Sequence, residues 1–244
     1  MRHNQTRLKT PRSKLRGMHS LRWFNFSMAK PPASDSPLVL SYLGLRKAVG
    51  VIGIALPFVL ALGKVLFDGP GIESSISSYY YTAMRDVFVG SLCAIAVFLM
   101  SYKGYERKDD IAGDLAFIFA IGVALFPTAP DLNPTSREKL IGGLHHSFAA
   151  LFFLTLAYFS LILFRKTDPS RRPTRRKEMR NVVYTVCGYT ILASLALIAL
   201  VALLPDDIPL KTLDPVFWLE AVAVVAFGVS WLVKGEAILK DDEH

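Results

Sequence analysis

Six long apolar blocks, separated by polar or basic intervals, divide the chain: Leu45–Phe67, Asp86–Tyr102, Ile111–Thr128, Leu144–Phe164, Val182–Leu204 and Val216–Val233. A helix needs about 20 mostly apolar residues to cross a bilayer, and each block is of that order. Blocks three, four and five are apolar around the full helical circumference over most of their length. A water-facing helix would keep a polar face, so the pattern argues against a soluble all-α bundle. It predicts an all-α polytopic membrane protein, a bundle of six transmembrane helices. Pro57 inside the first block predicts a kink that neighbouring helices satisfy. Lys64, near the far end of that block, can snorkel to the interface.

Residues 1–27 are polar and basic and lack the compact apolar core of a signal peptide. They read either as a disordered arm held near anionic lipid or as an over-extended start, since Met18 and Met28 could begin the chain as well as Met1. Residues 28–44, with Pro31, Pro32 and Pro37, read as a loose linker. The predicted organisation is therefore an arm and linker over 1–44, a transmembrane domain over 45–234, and a short tail over 235–244.

Composition agrees with this division. The chain of 244 residues is 52% hydrophobic, above what a soluble domain carries. The net charge of +8 is clustered, which points to a membrane surface before nucleic acid. Lys and Arg placement sets the orientation. With both termini on one side, that side collects 23 of the 28 basic residues and leaves 5 for the other. Both termini are therefore expected in the cytoplasm. The densest cluster is the fourth interval, 165–180, with Arg165, Lys166, Arg171, Arg172, Arg175, Arg176, Lys177 and Arg180. It reads as an anchor for anionic lipid head groups, and the absence of interleaved aromatics argues against nucleic acid. Cys93 and Cys187 fall inside apolar blocks and read as small buried hydrophobes.

The candidate chemistry gathers on the outer side. The interval Glu73–Asp86 reads ESSISSYYYTAMRD. The orientation brings its Ser74, Ser75, Ser77, Ser78 and Tyr79–Tyr81 to the same face as Arg85, Asp86, His145, His146 and Glu220. Asp131 follows Pro130 in the third loop. Ionisable groups at membrane depth usually mark function. One reading is a site for a lipid or hydrophobic ligand, built from Ser75, Ser78, Tyr79, Tyr80, Arg85, Asp86, His145, His146 and Glu220, with hydroxyls and rings suited to head groups. A second is a zinc-dependent hydrolase holding the metal by His145 or His146, Asp86 and Glu220. Adjacent histidines diverge by about 100° on a helix, and no HxxxH, HxxE or HExxH pattern occurs. The third is purely structural. Arg85 and Asp86 would pair and cap the second block, the histidines would satisfy loop carbonyls, and Glu220 would favour a helix N-terminus. Gly228 and Ser230 would allow close helix packing. Paired broken helices, histidines on two helices for haem, a P-loop, a Rossmann glycine pattern and a serine-hydrolase elbow are all absent from the sequence.

The strings ISSYYYTAMRDVFVG (Ile76–Gly90) and FWLEAVAVVAFGVSWLVKGE (Phe217–Glu236) resemble a bacterial group of uncharacterised six-span membrane proteins, known as a domain of unknown function. The resemblance covers about residues 45–240, and it implies no particular activity. More distantly, a Ser before an Asp with His on the outer side is similar to the alkaline ceramidase and adiponectin-receptor hydrolase superfamily. Those proteins have seven spans and a His-x-x-x-His pair in the last, whereas the sixth block here contains no His. The expectation is a membrane protein that binds a lipid or hydrophobic ligand without a cofactor, with the zinc hydrolase as the alternative.

Overall fold

The computed structural model describes residues 37–102, 106–130, 132–167, 174–205 and 207–239. The basic arm, Asp131, Arg171 and Arg172 of the fourth interval, and residues 240–244 lie outside the described residues. Six long helices follow in order: α1 (Pro37–Phe67), α2 (Arg85–Met100), α3 (Arg107–Leu125), α4 (Ser136–Tyr158), α5 (Arg175–Ala202) and α6 (Pro215–Lys234). A 3-10 turn, Ser77–Tyr81, precedes α2, and another, Pro209–Leu213, precedes α6. A π-helical turn, Phe159–Leu163, continues α4. No strand occurs among the described residues.

Four helices begin well ahead of their apolar blocks, three of them because polar residues cap them. Residues 37–44, expected as linker, are the start of α1. Pro37 opens that helix, where its missing N–H would have had no partner anyway. Ahead of α3, the Glu106 amide donates to Asp109 Oδ2 at 3.2 Å. Ahead of α4, Thr135 Oγ1 accepts from the Glu138 amide at 3.3 Å, and Glu138 Oε2 accepts from the Thr135 amide at 2.8 Å. This reciprocal capping box satisfies two orphan donors. Thr174 Oγ1 caps α5 by accepting from the Lys177 amide at 3.1 Å. Such polar first turns carry no hydropathy signal, so the apolar blocks understate these helices.

Four stretches are long and apolar enough to cross a membrane: Tyr42–Phe67, Ser136–Leu163, Arg175–Ala202 and Pro215–Lys234. The chain is thus a helical membrane protein. The other two, α2 and α3, do not meet that measure. α2 has 16 residues, about 24 Å at 1.5 Å per residue, against a hydrocarbon core of about 30 Å. α3 has 19 residues but opens on Arg107, Lys108, Asp109 and Asp110. Large apolar side chains face outward on α1 and α5, with Phe58 63%, Leu62 62% and Val186 60% exposed. Exposed apolar surface in the middle of long helices suits hydrocarbon, not water.

Each helix packs on the next in sequence, and α6 closes the ring against α1. Glycine makes that closure possible. A Cβ on Gly228 would lie 2.7 Å from the Gly50 carbonyl oxygen and 2.9 Å from the Ile54 amide nitrogen, both fixed backbone. A Cβ on Gly50 would meet the Gly228 carbonyl oxygen at 2.8 Å. Small residues let membrane helices approach this closely, where dispersion and lipid exclusion drive association. Ser230 does more than leave space: its hydroxyl donates to the Phe227 carbonyl at 2.7 Å and accepts from Ser160 at 3.1 Å, joining α6 to the π turn.

At the end of the ring where α1 begins and α6 ends, the inner end in the orientation expected from the sequence, Tyr102, Phe159, Phe164 and Trp231 form one aromatic cluster, with edge-on Tyr102–Phe159 and Phe164–Trp231 pairs each 5.2 Å between centroids. The Lys166 ammonium pairs there with Asp109 Oδ1 at 2.5 Å and Glu106 Oε2 at 3.3 Å. The hydrogen bond to Asp109 holds that ammonium above the ordinary lysine range. Gly228→Val is expected to lower stability by about 1–3 kcal/mol, the usual penalty of overpacking. Gly90→Ala, with nothing within 4 Å of the new Cβ, is expected to stay within about 0.5 kcal/mol of the parent. Thermal unfolding of the two purified variants in one detergent checks the contrast, and equal melting temperatures would remove the α1–α6 closure as a stabilising contact.

Candidate functional site

The opposite end of the ring, where α1 ends and α6 begins and which the sequence leads one to expect outside, is built on the first loop. Serines shape its 3-10 turn: the Ser78 amide donates to Ser75 Oγ at 3.1 Å, and the two hydroxyls are 2.8 Å apart. Such local hydroxyl bonds compete with longer helix and favour a turn. The loop is pinned on three sides. Asp68 Oδ2 accepts from the Ala83 amide at 2.7 Å. Lys64, expected to snorkel, reaches the Pro70 carbonyl at 3.1 Å and Glu73 at 3.8 Å. Tyr81 donates to the Thr128 carbonyl at 2.6 Å, tying the first loop to the third. Tyr79 is fully buried, its ring 6.1 Å from that of Phe217. Burial pushes its phenol above the ordinary value of 10.0, helped by Glu73 and Asp214 and opposed by its bond from the Glu73 amide.

Below this loop, three elements meet. Glu220 of α6 accepts from the Ile76 amide at 2.7 Å through Oε2, and the Ser77 amide also points to this carboxylate. The Phe217 amide donates to the Ser74 carbonyl at 3.0 Å, so the start of α6 holds the loop twice. His145 of α4 is 2% exposed. Its Nδ1 lies 2.5 Å from the Phe126 carbonyl oxygen. A carbonyl only accepts, so Nδ1 carries the proton. In the neutral ring Nε2 is then the acceptor, and the Ser77 hydroxyl donates to it at 2.9 Å.

Beneath Ser77 and Glu220 lies a cavity of about 40 Å³ on the axis of the ring. Its remaining walls are apolar and come from α1 (Leu56), α2 (Phe88, Leu92), α3 (Val123), α4 (Ala149, Phe152, Phe153) and α6 (Val224), with Ile76 from the loop. At about 10–15 Å³ for each water-sized occupant, the space takes about three such groups. Its shape is an apolar sleeve ending on a hydroxyl and a carboxylate.

Of the residues expected from the sequence, His145 and Glu220 converge here. Ser75, Ser78, Tyr79 and Tyr80 shape the loop above without lining the cavity. Arg85, Asp86 and His146 are exposed. Arg85 turns back to Tyr80, with a 2.8 Å bond to its hydroxyl and its guanidinium 4.4 Å from the ring centroid, instead of pairing with Asp86. His146 contacts the Gly142 carbonyl of its own helix at 2.6 Å. A zinc centre does not fit this arrangement. Both His145 nitrogens are committed, Asp86 lies outside, and no group of three or more His, Cys, Asp or Glu among the described residues could hold a metal ion. Three participants carried no distinct sequence signal: Ser77, one serine of four; Asp68, at a helix end; and the main-chain oxygen of Phe126. The one hint was Ile76, an apolar residue inside a polar interval, which marks where the loop turns inward. Comparison with protein-family models, with curated proteins and with solved structures finds no match.

Glu220→Leu strands the Ile76 amide and is expected to lower stability by about 1–3 kcal/mol. Glu220→Gln keeps an acceptor oxygen and is expected to lose less. Thermal unfolding of both, followed by limited proteolysis of the first loop, checks this, and equal losses would show that the carboxyl oxygen does not hold the loop.

Proposed function

We propose that this chain is a six-span protein of the bacterial inner membrane, with both termini cytoplasmic, that binds a lipid or apolar ligand through an outward-facing axial cavity. The observation that carries the reading is the apolar sleeve ending on Ser77 and Glu220. Ligand sites of this kind are mostly apolar with a few placed polar groups. The volume suits a small hydrogen-bonding end, such as a hydroxyl or amide, and the rest of the ligand would lie toward the mouth. Basic residues of the interval 165–180 would meet anionic head groups on the opposite face.

Six crossings are supported by contacts at both ends of α2 and α3. At the outer level, Tyr81 bonds Thr128 and His145 bonds Phe126. At the inner level, Tyr102 packs on Trp231 and Asp109 bonds Lys166. Both helices therefore run the depth of the ring, and their polar ends would sit at the interfaces. Cysteine placed at Lys108, in a chain with Cys93→Ala and Cys187→Ala, is expected to react with a membrane-impermeant maleimide only in inside-out vesicles. Labelling on intact spheroplasts would overturn the six-span reading.

A second reading follows the Ser77–His145 bond, since a hydrogen-bonded serine and histidine is the pairing nucleophilic catalysis uses. The neighbouring Ile76 and Ser77 amides, which would have to stabilise an oxyanion, are turned to Glu220. Binding is therefore the better-supported function. Ala149→Trp, which fills the sleeve, is expected to reduce the co-purifying apolar ligand by roughly tenfold or more, the effect of losing most of a small contact. Native mass spectrometry of parent and variant measures this, and unchanged retention would sink the binding site. Labelling of Ser77 by a fluorophosphonate would replace binding with hydrolysis as the function.

A further inference from the structure

With Glu220 ionised, the polar end of the axial cavity offers hydrogen-bond acceptors and no donors. His145 decides this for Ser77. The Nδ1 proton of His145 goes to the Phe126 carbonyl, so its Nε2 takes the hydroxyl proton of Ser77 at 2.9 Å. A serine hydroxyl has one donor and two lone pairs. With its proton turned to His145, Ser77 shows the cavity lone pairs alone. Glu220 also accepts. The Ile76 amide donates to its Oε2 at 2.7 Å, and the Ser77 amide points to the same carboxylate. A carboxylate has room for about four hydrogen bonds, so accepting capacity remains after both amides are counted. Ser77 holds the two groups together. Its amide faces the carboxylate, its hydroxyl faces the imidazole, and Ser77 and Glu220 line the same cavity.

The charge of Glu220 has no counter-ion in the fold. Lys64, at the same end, is engaged with the Pro70 carbonyl and Glu73, and Arg85 with the Tyr80 hydroxyl. No ion pair to Glu220 occurs among the described residues. A carboxylate away from water is costly until a cation joins it. The cavity itself is not sealed. Most of its walls are buried. The lining residues that stay partly exposed are Ala149 and Phe153 of α4 and Glu220 and Val224 of α6. α5 packs against both of those helices and contributes nothing to the lining. The cavity therefore meets the outside on the α4 and α6 side of the ring.

From these observations we infer that the axial cavity is a receptor for a primary alkylamine in its ammonium form, held by Glu220 and Ser77 with its chain along the apolar sleeve. The inference rests on the cavity being a site for an apolar ligand, and it names that ligand's polar end. An ammonium brings a positive charge and three N–H donors to a wall that only accepts. A hydroxyl has one donor and turns its own lone pairs toward the carboxylate. An amide carries a carbonyl that needs a donor, and this wall has none to give. A carboxylate or phosphate meets like charge. The room for about three water-sized groups suits an ammonium and the two carbons behind it. Phe88, Phe152 and Phe153 are among the walls, and aromatic rings accept a cation better than aliphatic ones do.

The test uses the full chain in a neutral detergent at pH 7, with titration and thermal unfolding as readouts. Its probes share one chain: decylamine, 1-decanol, decanoate, and decyltrimethylammonium, which has the charge without the N–H donors. Decylamine is expected to bind and to raise the melting temperature. Decanol and decyltrimethylammonium are expected to bind roughly tenfold or more weakly, the loss of a charge-assisted hydrogen bond. Decanoate is expected to leave the melting temperature unchanged. Glu220→Gln, which keeps an acceptor oxygen, is expected to weaken decylamine roughly tenfold or more and to change decanol little. That difference separates a lost charge from a damaged fold. Asp86→Asn, at an exposed carboxylate of the same end, is expected to bind decylamine as the parent does. Decanol, decanoate or decyltrimethylammonium binding as tightly as decylamine overturns the amine receptor and leaves the apolar-ligand site standing. Undiminished decylamine affinity in Glu220→Gln, or an equal loss in Asp86→Asn, overturns it in the same way. Binding of none of the probes overturns both the receptor and the ligand site.

Discussion

Closing a ring of helices requires the first and last to lie side by side, and here that contact is made nearly backbone to backbone at Gly50 and Gly228. The rest of the molecule hangs from it. α6 carries Glu220 near its outer end and Trp231 and Lys234 near its inner end. Setting α6 against α1 therefore places the carboxylate under the first loop and the indole against the Tyr102 ring that Arg46 also faces. A side chain at either glycine would meet main-chain atoms that have nowhere to move. In a bilayer there is no hydrophobic force between helices to compensate, because lipid tails are as apolar as leucine.

The same environment explains why the polar groups gather at the two ends. A buried donor or acceptor in hydrocarbon has no water to replace a missing partner. The outer end answers this with a closed set of bonds, from the Phe126 carbonyl through His145 to Ser77, and from Glu220 to the Ile76 amide. A fully satisfied network is rigid and specifies one arrangement. This fixes the first loop at the polar end of the axial cavity, with its Tyr79 fully buried. At the inner end, Arg46 Nε and Trp231 Nε1 are buried without a hydrogen-bond partner among the described residues.

Much of the architecture was legible along the chain, and the boundaries were legible only in part. The apolar blocks located all six helices, since a long run without a polar face has few other solutions. The capped first turns of α3, α4 and α5 and the start of α1 at Pro37 escaped, because caps act through hydroxyls and carboxylates that hydropathy scores as loop. Of the outer residues, Glu220 and His145 were readable as polar groups at helix ends. Their real partners were not, because one is a single serine among four and the others are backbone atoms, which have no letter of their own. Arg85, Asp86 and His146 carried the same signal as His145 and Glu220, yet they face outward. Residue type tells that a group is polar; the rotation of its helix tells whether it meets a cavity.

By itself, then, the sequence determined a helical membrane protein, because the burial of apolar length is a one-dimensional property. Only the tertiary structure decided that α6 closes on α1, that Ser77 is the serine facing His145, and that Arg46 and Trp231 share a wall. Those facts depend on helix rotation and on contacts between residues up to 188 positions apart, and nothing in local composition encodes the angle at which two distant helices meet.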